Sequence, residues 1–179
     1  ANKYTAAALV ARLHLTLGEY GEARDWAQTV IESGLYSLET NYADIWNRDD
    51  DSGETIFGMQ VSAQDGDNEL VVFYSIPDYG GRDGDIEINQ KHLDLYDPAD
   101  TRRALFYDGN GAMRCGKWRD QYKNIPVIRL AEMYLIRAEC DVRDGQNADA
   151  DFNIVHERAG LPPKTNVTLD DILYERRLE

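Results

Sequence analysis

Apolar residues recur at helical spacing over residues 3–34, and a polar turn at Gly18 interrupts the pattern. The first half is rich in alanine, which lets a helix approach its neighbour closely. Gly34 follows the second half, and glycine is common just after the end of a helix. The apolar stripe of that half consists of Ala23, Trp26, Ala27, Val30 and Ile31. The spacing predicts a helical hairpin whose first helix covers residues 3–17.

The same spacing returns over residues 126–160. Pro126 suits the first turn of a helix, because its missing N–H would have no partner there. Gly145 interrupts the pattern, and Gly160 with the prolines after it ends the pattern. We therefore predict a second helical hairpin that starts at Pro126. A further helix is predicted from Thr168, where an acidic residue stands at the spacing of a capping box.

The two predicted hairpins align with each other as an internal repeat. Gly18 aligns with Gly145 and Ala23 with Ala150, a spacing typical of a tetratricopeptide-type unit. Two unrelated helical hairpins remain the alternative interpretation. Because each such unit needs neighbours to bury its faces, we expect this chain to be part of a longer protein.

Residues 36–125 differ in kind, since they are rich in turn residues and aromatic rings. The predicted elements are strands at 36–38 and 54–61, a strand or buried helical turn at 70–74, a helix at 89–96 and a hairpin around 108–111. The predicted fold is mainly α, with tetratricopeptide-like hairpins flanking a loop-rich insert with a few short strands. Its parts are a hairpin at 1–35, the insert at 36–125, and a second hairpin with the start of a further helix at 126–179, all within one domain.

Three segments resemble the C-terminal half of the SusD/RagB family in order and spacing. They are residues 126–139 (PVIRLAEMYLIRAE), 158–162 (RAGLP) and 172–177 (ILYERR). The opening helices and residues 54–60 fit the family more loosely. The resemblance implies a largely helical fold whose hairpins form a scaffold and contact a transporter, while the insert carries part of a glycan-binding surface.

The same resemblance implies a function without catalysis or cofactor. Members of this family bind oligosaccharide or polysaccharide at the cell surface and deliver it to a SusC-like TonB-dependent outer-membrane transporter. They are held there by a lipid anchor, which we expect in a segment outside this chain. The ligand-contacting residues of the family follow no motif, so none can be carried over to this sequence.

The net charge and the cysteine content limit the kinds of ligand and partner that the chain can bind. A net charge of −14 opposes binding to nucleic acid or to anionic lipid, and it fits a neutral ligand. Cys115 and Cys140 fit no metal-binding spacing, and we expect Cys140 to be a small buried apolar group. A disulfide between them stays open at this point.

Catalytic motifs are lacking in the sequence. His14, His92 and His156 have no partners at a metal-binding or nucleophile-activating spacing. A glycoside hydrolase needs two positioned carboxyls, and no such pair can be named, so this remains a less favoured alternative. A helical-repeat adaptor for proteins or peptides is the other one, and the long insert disfavours it.

Turns are the favoured interpretation of the clustered acids, and a surface calcium site is the alternative. Asp83, Asp85 and Glu87 alternate like the start of such a loop, but Ile88 stands where glycine is needed. The three acids of residues 49–51 and the two of residues 65–67 are similar in character. We therefore predict that the chain has no metal site.

Aromatic residues in the insert give the candidate ligand site. A neutral sugar presents apolar C–H faces and a rim of hydroxyls, so it suits an exposed flat ring edged by polar groups. Tyr79 is the best stacking candidate, because proline and glycine neighbours make it hard to place in a core. The other predicted site residues are Tyr74, Asp78, Arg82 and Trp118. Trp26, Trp46 and Tyr134 occur at helical spacing, and we predict that they lie in the core.

The predicted helix after Pro126 also carries Arg129, Glu132, Arg137 and Glu139. We predict ion pairs on the helix surface, for example Arg129 with Glu132, each contributing a few tenths of a kcal/mol. The alternative is a hydrogen-bond network to a domain outside this chain.

Overall fold

The computed structural model describes residues 2–66, 68–82 and 85–179. Its helices are α1 (Lys3–Leu17), α2 (Tyr20–Glu32), α3 (Glu69–Tyr74), α4 (Gln90–Leu93), α5 (Leu130–Arg143), α6 (Asp149–Arg158) and α7 (Leu169–Leu178). Short 3₁₀ turns occur at Tyr42–Ile45, Pro77–Tyr79 and Thr101–Leu105. The strands β1 (Thr55–Met59) and β4 (Ile125–Arg129) form one antiparallel pair, and β2 (Phe106–Gly109) and β3 (Ala112–Cys115) form another. The predicted mainly α fold is confirmed.

Helices α1 and α2 pack along an alanine-lined contact, and α5 packs on α2. Gly18 ends α1 in the left-handed conformation, with φ of 78°, which suits glycine at this position. The buried alanines are Ala7, Ala8 and Ala11 of α1 and Ala23 and Ala27 of α2. Because these side chains are short, the two backbones can come close, and larger residues of α5 such as Met133 and Ile136 complete the cluster.

Helices α5, α6 and α7 enclose a second core cluster around Phe152. Thr168 and Asp171 form the predicted capping box at the start of α7. The repeat alignment is wrong at Ala150, which is exposed, whereas Ala148 is buried. The reason is a shift in helix start: α2 begins two residues after its turn glycine Gly18, but α6 begins four residues after Gly145.

The predicted helix start at Pro126 is also wrong. Residues 125–129 form strand β4, which pairs with β1, and α5 begins at Leu130, whose N–H donates to the carbonyl of Glu54 at 3.0 Å. Isoleucine and valine around Pro126 favour an extended backbone. Proline is tolerated there because the pair has only two strands, so β4 has an unpaired edge.

The insert matches the prediction in part. Residues 55–59 and the β2–β3 hairpin are strands as predicted, and positive φ angles at Asn110 (58°) and Gly111 (82°) make the tight hairpin turn. Residues 70–74 are helical. The predicted strand at 36–38 is wrong: this loop donates a hydrogen bond from the N–H of Ser37 to the carbonyl of Gly53 at 3.0 Å. Helix α4 is shorter than the predicted 89–96.

The predictions that three aromatic residues lie in the core have different outcomes. Trp46 is buried, with its ring edge-on to Tyr42 at 5.9 Å between centroids, which confirms the prediction. Tyr134 is half-buried against both helical clusters. The prediction for Trp26 is wrong, since it is 38% exposed. The inward face of α2 is already filled by alanines, and Trp26 lies beside Tyr4 at the surface.

Cys115 and Cys140 are both buried and both free thiols. Burial raises the pKa of each thiol, and the pKa of Cys140 reaches about 12. Within the described ranges, no helix combines the length and the apolar character needed to cross a bilayer.

A network of buried charges ties the insert to α6 and α7. The side chain of Arg102 is 1% exposed and pairs through Nη2 with Asp100 at 2.7 Å and through Nη1 with Glu175 at 2.6 Å. Glu175 also contacts Nδ1 of the buried His156 at 2.8 Å. Each carboxylate in this group therefore has a cationic or donor partner, as burial of charge requires.

The network continues at Glu54, which accepts from Arg129 and from Arg158, each at 2.7 Å. The predicted surface pair of Arg129 with Glu132 is wrong. Arg129 lies in the strand before α5 and points into the network, while Glu132 pairs with Arg12 of α1 at 2.6 Å. The alternative of a hydrogen-bond network is correct in kind, but its described members all lie within this chain.

Candidate functional site

The insert presents Tyr79 on a tight turn. Pro77 starts the 3₁₀ turn, and Gly80 leaves it in the left-handed conformation with φ of 87°. The N–H of Gly81 donates to the carbonyl of Ile76 at 2.9 Å. A Cβ atom on Gly81 would lie 1.9 Å from the carbonyl oxygen of Ser75, so only glycine fits there. The turn leaves Tyr79 37% exposed.

The β2–β3 hairpin supports this turn from behind. Tyr107 of β2 meets Tyr79 edge to face, with ring centroids 5.6 Å apart and planes at 85°. Its hydroxyl shares a hydrogen bond of 3.0 Å with Oγ of Ser75. A Cβ atom on Gly109 would lie 2.7 Å from Cγ2 of Ile76, so the absence of a side chain at Gly109 permits the close approach.

Arg119 adds a cation to the two rings. Its guanidinium carbon lies 4.2 Å from the ring centroid of Tyr107 and 5.5 Å from that of Tyr79. Asn47 fixes the segment that carries it: the Asn47 Oδ1 accepts from the N–H of Arg119 at 2.7 Å, and its Nδ2 donates to the carbonyl of Gly116 at 2.9 Å.

Gln121 closes the arrangement by donating from Nε2 to the carbonyl of Gly80 at 3.0 Å. We call Tyr79, Tyr107, Arg119 and Gln121 the tyrosine platform. It combines an exposed ring with an amide and a guanidinium, and the exposed carboxylate of Asp78 stands on the same turn. An apolar surface edged by hydrogen-bonding groups is suited to binding an amphipathic ligand.

The five predicted site residues are divided among separate places. Asp78 and Tyr79 share one turn. Arg82 pairs with Asp85 at 2.5 Å, which lowers the pKa of that carboxyl. Trp118 lies edge-on to Trp46 beside a buried cluster, with centroids 5.7 Å apart, and Tyr74 is half-buried on α3. The described ring contacts join neither of these two to Tyr79, so their role stays a prediction.

Sequence reasoning missed Tyr107, Arg119, Gln121 and the clamp residue Asn47. The hairpin signal at residues 108–111 could have drawn attention to Tyr107, which immediately precedes it. The other three residues come together only because segments distant in sequence meet in the fold, and no local sequence pattern predicts this contact.

A cavity of about 500 Å³ lies elsewhere, between the loop after α4 and helices α6 and α7. Among its walls are Asp100, His156 and Glu175, which are members of the buried charge network. We favour the tyrosine platform as the candidate site, because the charged groups of this cavity already satisfy one another.

Metal binding finds no support in the described part of the chain, where no three histidine, cysteine or acidic side chains gather at ligand spacing. Asp85 is engaged by Arg82. Asp67 and Asp83, which belonged to the acid patterns weighed for calcium, lie outside the described residues.

Comparison with known proteins finds matches to one family. The SusD family model matches residues 115–179. The chain is 24% identical over 259 aligned residues to the starch-binding protein SusD of Bacteroides thetaiotaomicron, covering 93% of this chain and 47% of that protein. It is 42% identical over 62 residues to a SusD-like protein of Bacteroides ovatus, covering 31% of this chain and 11% of that protein.

Solved structures agree over nearly the whole chain. One from Bacteroides vulgatus has a TM-score of 0.87 at 31% identity, covering 99% of this chain and 44% of its own. A SusD superfamily protein from the same organism has a TM-score of 0.82 at 27% identity, covering 99% of this chain and 46% of its own. The chain therefore spans about half the length of the relatives that it matches along most of its sequence.

The fold and the site define a mainly helical protein in which tetratricopeptide-like hairpins flank a loop-rich insert that carries the tyrosine platform. Residues 115–179 match the SusD family, and the chain as a whole has the fold of the SusD superfamily structures.

Proposed function

We propose that the protein to which this chain belongs binds oligosaccharide or polysaccharide at the cell surface and does not cleave it. The match to the SusD family supports this proposal, as does the name of one relative, a starch-binding protein. The single observation in this chain that carries the proposal is the exposed ring of Tyr79, held by Tyr107 and edged by polar groups.

The platform fits a sugar ring for physical reasons. The C–H face of a pyranose can lie against the exposed side of Tyr79, whose orientation is fixed by its edge-to-face contact with Tyr107. Gln121 and Asp78 stand beside the ring and can exchange hydrogen bonds with hydroxyl groups. Because the turn and the hairpin are already packed, little freedom is lost when a ligand binds.

Binding without cleavage follows from the chemistry of these groups. Glycoside hydrolysis requires two carboxyls on opposite sides of the scissile bond. The platform offers two phenols, an amide and a guanidinium, with Asp78 as the acid on the same turn. A single exposed carboxylate does not make such a pair.

Delivery to a SusC-like TonB-dependent transporter, with attachment to the outer membrane through a lipid anchor in a segment outside this chain, completes the proposal. The helical hairpins would form the scaffold and the contact with the transporter. These parts rest on kinship with the family.

A protein–protein adaptor is the second candidate, and one observation favours it. Leu9, Leu13 and Leu17 lie one helical turn apart on α1 and are 57%, 55% and 62% exposed. Such a stripe suits packing against another helix. An adaptor would bind a protein or peptide through this stripe and would not need the tyrosine platform.

Affinity electrophoresis and calorimetry of the full-length protein against a panel of polysaccharides test the proposal. Tyr79→Ala should weaken glycan binding about 5- to 30-fold, because a stacking ring at the centre of a site contributes on the order of 1–2 kcal/mol. Its thermal stability should change little, since the ring is partly exposed. Tyr174→Ala is the matched control, because Tyr174 is 44% exposed on α7 and should leave the affinity unchanged.

Each other outcome has a defined meaning. Equal affinity of Tyr79→Ala and wild type would remove the platform from the site. Release of reducing ends from a polysaccharide would replace binding by hydrolysis. Binding of no glycan, with a peptide retained and lost on Leu13→Glu, would favour the adaptor.

A further inference from the structure

Arg119 differs from the arginines of the buried charge network in what surrounds its charge. In the described part of the chain, no acidic side chain lies within ion-pairing distance of its guanidinium, whose charge faces the rings of Tyr107 and Tyr79 instead. Its Nε is buried without a hydrogen-bond partner. By contrast, Arg102 and Arg129 each contact at least two carboxylates.

This lack of an acid is notable in a chain that has 33 acidic residues against 19 basic ones. The exposed Arg103 also has no ion pair with any described residue, but there water solvates the charge. Arg119 is half-buried, so much of that solvation is replaced by ring faces. Ring faces attract the cation but do not accept its in-plane N–H groups, so these donors remain available for the oxygens of an anion.

We propose that the tyrosine platform selects glycans that carry an anionic substituent, either the carboxylate of a uronic acid or a sulfate ester. The anion pairs with Arg119 while the sugar ring lies on Tyr79. This inference rests on the proposed function, since it names the class of glycan bound at the same platform. A guanidinium binds either anion through two parallel hydrogen bonds, so the shared chemistry is that of an oxyanion.

The net charge of −14 fits a neutral ligand when the chain is considered as a whole. At physiological salt, however, charges farther apart than about 8 Å are largely screened, so near groups decide the specificity. Of the other charges in this region, Arg82 is paired with Asp85, and Lys123 is paired with Asp49 and with Asp120, the neighbour of Arg119 in the chain. Asp78 is exposed on the turn that carries Tyr79, and there solvent weakens its repulsion of an anion.

The test uses matched pairs of glycans and the full-length protein. One pair is homogalacturonan oligosaccharide with free carboxylates and its methyl-esterified form, and the other is a sulfated galactan and its desulfated form. Wild type should bind at least one acidic member about 10-fold or more tighter than its neutral counterpart, because a charge-assisted hydrogen bond contributes about 1.5–3 kcal/mol. Whether the carboxylate or the sulfate pair shows this preference identifies the anion.

Three variants assign the preference to Arg119. Arg119→Gln should reduce this ratio of acidic to neutral affinity to about 2-fold or less, whatever its effect on the affinity for the neutral member. Arg119→Lys should restore part of it, because the charge returns without the planar fork. Arg103→Gln, which removes a cation elsewhere in the insert, should leave the preference intact. Melting curves of all three should match wild type.

Failure of this inference can be told apart from failure of the proposed function. Equal affinity of wild type for both members of each pair, with Tyr79→Ala still weakening binding, would overturn selection for anions and leave glycan binding standing. An acidic preference that survives in Arg119→Gln would also overturn it. Binding of no glycan in the panel would overturn both.

Discussion

The buried charge network and the tyrosine platform each contain an arginine, and they use its charge in opposite ways. Arg102 is fully buried and contacts Asp100, Glu175 and Glu179 at 2.6–3.1 Å, so its charge is matched within the protein. Arg119 is half-buried against two tyrosines and has no acid beside it among the described residues. A buried charge that is paired within the protein fixes one arrangement of the chain. An arginine without an acidic partner keeps donors that can bind an anionic ligand.

The helical scaffold and the tyrosine platform also differ in how their backbones are held. The helices are held by close packing of small side chains such as Ala8 and Ala27, and by the charge network. The tyrosine platform is held by a turn that needs Gly81 and by the amide of Asn47. A scaffold of the first kind resists change broadly, while a site of the second kind depends on a few specific contacts.

The largest expected effect is in the buried charge network. Arg102→Met leaves Asp100 and Glu175 buried with a lost partner, which should lower the free energy of unfolding by about 3–5 kcal/mol. Urea denaturation measures it. Arg103→Met, at the exposed neighbouring position, should change stability by less than about 0.5 kcal/mol. Equal effects of the two variants would contradict the matched network.

A smaller effect is expected at the platform. Gly81→Ala places a methyl group against the carbonyl of Ser75, so the turn must shift, at a cost of about 1–3 kcal/mol. Because Tyr79 lies on this turn, glycan affinity should fall with stability, as calorimetry on the folded variant would measure. Gly21→Ala, in helix α2 with open space around it, should instead stabilise by about 0.4–1 kcal/mol. Unchanged binding in Gly81→Ala would separate the turn from the site.

The smallest expected effect concerns Lys117, where the insert meets the charge network. Burial, followed by the charge of Arg129, lowers the pKa of Lys117 from 10.5 to about 8. Between pH 8 and 10.5 the unfolded chain therefore binds more protons at this residue, so stability from Lys117 rises with pH. The difference in unfolding free energy between wild type and Lys117→Met should rise by about 1–2 kcal/mol from about pH 7.5 to 9.5. A flat difference would mean that the amine is well solvated.

Local signals in the sequence predicted most of the fold. Glycines at helix ends, the Thr168 capping box and the spacing of apolar residues led to the helices, and the turn at Asn110 led to the β2–β3 hairpin. Proline and glycine neighbours led correctly to an exposed Tyr79. Each of these signals depends on a short stretch of chain.

Two of the errors, at residues 125–129 and at Arg129, share one cause, which is a partner distant in sequence. Residues 125–129 became a strand because β1 lies beside them. That strand turns the side chain of Arg129 inward, where it forms a buried ion pair with Glu54. The contact of Tyr79 with Tyr107 and Arg119 likewise joins two segments of the insert, so sequence reasoning found one member of the site and missed the rest.

The two thiols give each region its own built-in reporter. Cys115 ends strand β3, next to the segment that Asn47 clamps, and Cys140 lies inside α5. Both are shielded, so a thiol reagent reaches each one only when its surroundings open. The modification rate measured at each cysteine therefore reports how often its surroundings open. The two rates compare local opening of the loops with that of the helices in one molecule, without an engineered label.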